Sequence, residues 1–299
     1  MLLNRPVPFS FLLGKIKYET LAVFVFANLM FTLRHYVGLE FLSIPLAIPA
    51  LMGTCISLLL AFRTNQAYER WWEARVVWGG IVNDSRTLIR QLLTFLPEES
   101  ASARIVQTVA QRQIGWCYVL GQTLRGQPTQ PAIKTYIPPT EQAGILGATH
   151  QPLAVLQVHA DQLRQLYRAG YLTDLQVVQV DATMTRLTDA MGRCERIKNT
   201  VFPRTYTFYL QVFIILFTAM LPFGFVENLF FVEVPLVTLI GSAFFLIEKS
   251  AIQLQGPFEN RPTDTPMTAI AKGIAGSLTQ LTGESVVEQP TASPTYFIL

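Results

Sequence analysis

Charge is scarce in this sequence. Lys, Arg, Asp and Glu make up 14% of its 299 residues, against roughly 25% in soluble domains, while 51% are hydrophobic. The two signs nearly cancel, leaving a net charge of +3. No dense basic run exists, and this excludes a nucleic-acid partner. The three cysteines, Cys55, Cys117 and Cys194, are an odd number without a CxxC spacing. A disulfide framework is therefore excluded, and buried free thiols are expected. Histidine is equally sparse: His35, His150 and His159 are scattered, with no HExxH and no cysteine partners at metal-ligand spacing. No GxSxG, P-loop or GxGxxG occurs. Glu69 and Glu73 share a helix face, but Arg70 and Arg75 adjoin them, a pattern of ion-pair scaffolding rather than acid–base catalysis. The expectation is a non-enzyme with no catalytic residue, metal site or cofactor.

The apolar residues are gathered into blocks. Phe41–Phe62 is 22 residues without a charge, long enough to cross the hydrocarbon core as a helix. Thr20–Leu33 is shorter, at 14 uncharged residues, and its place before that run makes it the first crossing. Thr207–Val226 gives 20 more, and Leu229–Ile247 is interrupted only by Glu233 and Pro235. Glu233 lies near the start of its run, at headgroup level or, less favoured, on an ion path. Pro45 and Pro49 are expected to bend or interrupt the second span. Along that span Thr54, Leu58 and Phe62 fall at i, i+4 and i+8, close to one helical stripe; such a stripe either packs or lines a pore. Gly53 and Ala61 would allow neighbouring helices to approach.

At Arg63 the composition switches to Arg, Glu and Trp, as if one helix left lipid and entered water. Trp71, Trp72 and Trp78 follow, suited to interfacial anchoring and core packing. Arg63 and Arg70 are placed to touch headgroups or carbonyls and hold the helix at depth. Between 63 and 203 the pattern predicts helices over Arg63–Leu96, Ser102–Arg125, Pro152–Ala169 and Thr173–Lys198. The last carries a heptad-like seam through Thr173, Val177, Val180, Met184, Leu187 and Met191. The stretch GQPTQPAIKTYIPPT has four prolines in 12 residues and reads as a loop. Met267–Leu281 reads as a short helix, and the chain beyond Thr282 as loosely attached. The N-terminal residues 1–19 read as an arm without a cleavable leader. The division is then 1–19, spans within 20–62, a helical domain over 63–203, spans within 204–248, and a tail over 249–299. Lys and Arg cluster on one side of these spans, so both termini and the helical domain are expected in the cytoplasm. A four-span protomer has too few helices to enclose an aqueous path, and a homo-oligomer with its pore on the symmetry axis solves this.

The run FRTNQAYERWWEARVVWGG, with AGYLTDL at Ala169–Leu175, RCERI at Arg193–Ile197, Pro203, LPFG at Leu221–Gly224 and GPF at Gly256–Phe258, resembles the bacterial branch of the bestrophin ion channels. The resemblance covers nearly the whole chain in order. It implies an all-α membrane protein: four transmembrane helices per protomer continue into a cytoplasmic helical bundle, and a homopentamer surrounds a central pore. Small monovalent ions and membrane lipid are the implied partners, and the bacterial inner membrane the location. The family pattern puts neck rings at Thr54, Leu58 and Phe62 and a cytoplasmic aperture at Leu175. Thr54 departs from the fully apolar neck usual in the family. Animal members are calcium-activated chloride channels with an acidic run after the fourth span. Here GPFENRPTDTP offers only Glu259 and Asp264, too few oxygens for calcium, and that site is not carried over. Apolar rings do not choose ion charge, so both signs stay open. The competing reading is a helical membrane scaffold or receptor with a cytoplasmic partner-binding domain.

Overall fold

Proline marks where most helices of this chain begin. Its ring fixes φ and it has no N–H, which the first turn of a helix does not need. In a computed structural model describing residues 8–37, 43–200, 203–225 and 232–283, Pro8 precedes α1 (Phe9–Val37), and Pro45 and Pro49 bracket the start of α2 (Ala47–Phe95). Pro203 precedes α8 (Arg204–Gly224), Pro235 lies in the first turn of α9 (Glu233–Gln255), and Pro266 precedes α10 (Met267–Leu281). The expected bend at Pro45 and Pro49 is thus replaced by a helix start, since neither ring sits where an intrahelical donor is required.

The same rule corrects the proline-rich stretch. It is not an irregular loop but holds two short helices, α4 (Gln130–Tyr136) and α5 (Pro139–Leu146), each with proline in its first two positions. The other helices are α3 (Ser100–Arg125), α6 (Gln151–Arg168) and α7 (Asp174–Asn199). Gly126 and Gly170 close α3 and α6 with φ of 65° and 79°, the left-handed region that a Cβ would penalise. Thr173 opens α7 through a reciprocal bond pair with Gln176, a capping box that satisfies two end donors at once. The second span and the helix expected after it are one element, α2, of 49 residues. α1 likewise begins at Phe9, within the segment read as an arm. The tail beyond 283 lies outside the described residues.

The described residues form two compact units. One, within 5–71 and 201–256, holds α1, the first half of α2, α8 and α9, the helices long and apolar enough to cross a membrane. α1 runs against α9, and both touch α8. Their core is thin: Val23, Ala27, Ile56, Leu60, Leu210, Ile214, Phe217, Leu221 and Val237. Close approach depends on missing side chains. A Cβ on Gly241 would lie 2.9 Å from the Thr218 methyl, and one on Gly53 would lie 3.0 Å from the Phe217 ring. Many large apolar side chains, among them Leu21, Val25, Phe208, Ile215 and Leu239, face outward. A soluble surface does not tolerate so much apolar area; a bilayer accepts it.

The other unit holds the second half of α2 with α3–α7 and α10. α10 and α6 pack on α3, and α6 packs on α7. Trp78 and Trp116 are completely buried there, and Trp116 donates its indole N–H to the Pro152 carbonyl at 3.1 Å. Of the expected α7 seam, Val180, Met184, Leu187 and Met191 are in the core and Val177 packs against it, while Thr173 is exposed as the N-cap.

Candidate pore-lining helix face

The first half of α2 has two unlike faces. Ile56, Leu60, Arg63 and Ala67 recur at i, i+4, i+7 and i+11 and are 1–2% exposed; this face packs within the protomer. Thr54, Leu58 and Phe62 lie on the other, where Leu58 and Phe62 are each 59% exposed and Thr54 is also open. The structure therefore brings the three predicted neck residues onto one uncovered stripe. Thr54 keeps its hydroxyl occupied by donating to the Ala50 carbonyl at 2.9 Å, so its polar atom turns back along the helix. Ala61 is exposed in the protomer, whereas Gly53 lies against the Phe217 ring.

Arg63 is not where sequence reasoning placed it. A basic residue closing an apolar run was read as a headgroup anchor, but its side chain is fully buried and ion-paired with Glu248 on α9 at 3.3 Å. Its second terminal nitrogen donates to Thr207 Oγ1 at 3.0 Å. Gln211 Nε2 completes the group by donating to Glu248 Oε1 at 3.2 Å. α2, α8 and α9 are thus tied by one polar cluster directly behind Phe62. Glu248, Thr207 and Gln211 were missed. The available signal was that Glu248 closes the fourth apolar run as Arg63 closes the second, with opposite charge.

A second cluster joins other ends of the same helices. Arg34 of α1 bonds Glu233 of α9 at 3.2 Å and donates to the carbonyls of Pro222 at 2.5 Å and Phe225 at 3.2 Å. Those carbonyls end α8 and have no helical donor of their own, so a guanidinium there caps the helix. Glu233, the first residue of α9, thus has a protein partner. Glu227 lies outside the described residues. Lys249 and Glu19 add a pair between α9 and α1 at 2.5 Å.

The remaining predicted residues lie elsewhere. Leu175, the second residue of α7, is 79% exposed, while Leu172 and Val180 on either side of it are buried. Trp72 is 52% exposed; Trp71 is half-buried and stacks on Tyr68 with ring centroids 6.0 Å apart; Arg70 is half-buried. After the fourth span, Glu259 pairs with Lys198 at 2.7 Å, and this contact holds its carboxyl below the usual range. Asp264 is buried and accepts the Arg261 backbone N–H at 3.0 Å; burial pushes its carboxyl up. Both acids are engaged by the chain itself.

Comparison with known proteins converges on one group. A family model for the bacterial and fungal bestrophin proteins matches residues 8–280. The chain is 32% identical over 250 residues to a voltage-dependent anion channel-forming protein of Nostoc, covering 82% of this chain and 81% of that one. It is 30% identical over 278 residues to the voltage-dependent anion channel-forming protein YneE of Escherichia coli K12, covering 92% and 89%. The crystal structure of a bacterial bestrophin homolog from Klebsiella pneumoniae superposes with a TM-score of 0.83 at 27% identity, covering 90% of this chain and 99% of that one. The helix order, the apolar spans and the matched length lead to one statement: this chain belongs to the bacterial and fungal bestrophin family.

Proposed function

We propose that this protein is an ion channel of the bacterial inner membrane, built from five copies around a central pore, passing small monovalent ions. The observation that carries the reading is the uncovered stripe of Thr54, Leu58 and Phe62 on a helix whose other face is fully packed. A single protomer leaves these side chains with nothing to line. Rotational symmetry brings the same stripe from each copy to a common axis, and each ring then narrows the path. Rings of Leu and Phe offer water no hydrogen bonds, so the passage dewets and opposes entry of a hydrated ion. Ion flow follows when the neck is widened or wetted, without a binding step that would slow release.

Leu175 fits a second constriction, because an apolar side chain at a helix start with so little protein contact contributes nothing to its own fold. Residues 63–203 and both termini belong on the cytoplasmic side by the Lys and Arg distribution, and Trp72 with Arg70 suits the interface there. Relatives named as anion channel-forming support ion conduction. The neck itself carries no charge with which to choose a sign.

Reconstitution tests the proposal. Purified protein in liposomes should give rapid, passive, non-saturating flux, and native mass spectrometry in mild detergent should give a pentamer. Absence of flux from folded protein would favour a membrane scaffold, and a stable monomer or dimer would remove the axis on which the pore depends.

A further inference from the structure

The neck stripe does not stop at Phe62. Glu69 lies seven residues beyond it, two helical turns on, which at about 100° and 1.5 Å per residue places it within roughly 20° of Phe62 and some 10 Å further along α2. It is also eleven residues from Leu58, again about 20° away by the same count. Glu69 thus falls between the directions of Leu58 and Phe62, and it is exposed. Asn65, one turn nearer the neck, is exposed as well and donates to Glu69 Oε1 at 2.8 Å. The amide orients the carboxylate and leaves its negative charge in place. Glu73, one turn further on, is different: it pairs with Arg196 at 2.6 Å. The two acids that sequence reasoning treated alike both lie along the stripe, but the structure separates them by partner: Glu73 is engaged by a cation from another helix, and Glu69 by a neutral amide.

We propose that Glu69 forms a ring of carboxylates at the cytoplasmic end of the neck, and that this ring biases the path toward cations. The inference rests on the pentameric reading above. Symmetry that gathers Leu58 and Phe62 about an axis gathers Glu69 as well. A narrow apolar passage raises the barrier for either sign, whereas a ring of acidic side chains at its mouth lowers the barrier for cations and raises it for anions. Local cation concentration rises by the same field, and the effect weakens with salt.

Reversal potentials of protein in planar bilayers under sodium chloride gradients decide the matter. Glu69→Gln should lower the sodium-to-chloride permeability ratio, on the order of tenfold at low salt, with the difference shrinking toward molar salt as the screening length falls from about 30 Å to about 3 Å. Asn65→Asp adds a carboxylate on the intervening turn and should move the ratio the other way. If Glu69→Gln does not assemble, the direction of the Asn65→Asp shift decides alone. A conducting wild type whose ratio is unchanged in every variant that assembles would overturn the ring. A wild type that passes no ions at all would instead overturn the channel reading.

Discussion

Removing the Glu248 carboxylate would leave a guanidinium inside the membrane-spanning unit with no counter-charge. Arg63 and Glu248 side chains are 0% and 1% exposed and their atoms meet at 3.3 Å, so neither partner can turn to water. Truncating one member of such a pair costs about 3–5 kcal/mol, chiefly because the survivor stays buried and uncompensated. Glu248→Leu should therefore lower the thermal midpoint of the detergent-solubilised protein by roughly 10 °C, taking about 2–4 °C per kcal/mol for a chain of this size. Glu248→Gln should lose less, since an amide still accepts from Arg63 and Gln211. The double replacement Arg63→Met with Glu248→Leu removes both charges. It should recover most of the loss, because an apolar pair of similar volume is often neutral or better. Scanning fluorimetry of the four proteins reads all of this. A double variant as unstable as Glu248→Leu would refute the reasoning, because the loss would then come from packing rather than from a stranded charge.

Other outcomes follow from the same structure. Leu58→Ala with Phe62→Ala should widen the proposed neck and raise single-channel conductance or open probability; unchanged flux from a folded oligomer would place the constriction elsewhere. Leu175→Ala should change permeability ratios with little loss of thermal stability, as its 79% exposure requires; a large stability loss with unaltered permeation would make it a core residue. His159 is buried, and burial, then the Arg112 charge, holds its imidazole well below its usual value. The unfolded chain takes up that proton near pH 6.5 while the folded one does not. Stability should thus fall as pH drops below about 6.5, by up to ~1.4 kcal/mol per unit, and His159→Leu should flatten the slope in denaturant melts. Glu259→Gln with Asp264→Asn should leave ion flux equally insensitive to calcium; a micromolar calcium response lost in that variant would reveal a site.

Local signals were the legible ones. Uncharged runs located the four spans, and the charge switch at Arg63 within an unbroken helical pattern gave the long second helix. The helix ends expected at Arg125 and Ala169 hold to within a residue, where Gly126 and Gly170 close the helices. The prolines of 128–139 were misread because proline excludes a helix interior but suits its first turn, and the sequence does not say which turn it occupies. Arg63 was misread for a different reason. Its partner Glu248 is 185 residues away, and a lone arginine at the edge of an apolar run is equally at home among headgroups. The exposed stripe of Thr54, Leu58 and Phe62 had the right spacing, but spacing alone does not tell which face of a helix stays uncovered. That follows from the opposite face, where Ile56, Leu60 and Ala67 meet the rest of the protomer.

Order of synthesis gives the ion pairs of Arg34 and Arg63 another meaning. The basic members, Arg34 and Arg63, sit on the first two spans, and both acidic members, Glu233 and Glu248, sit on the fourth. A nascent chain therefore inserts two arginines early and holds them without their carboxylates until α9 arrives. Single arginines in a bilayer are costly and draw in water or headgroups, so the half-made protein carries a recognisable flaw that the finished one lacks. Completion of the last span erases it at both ends together. Both arginines of the first two spans thus gain their carboxylates only when the fourth span is in place.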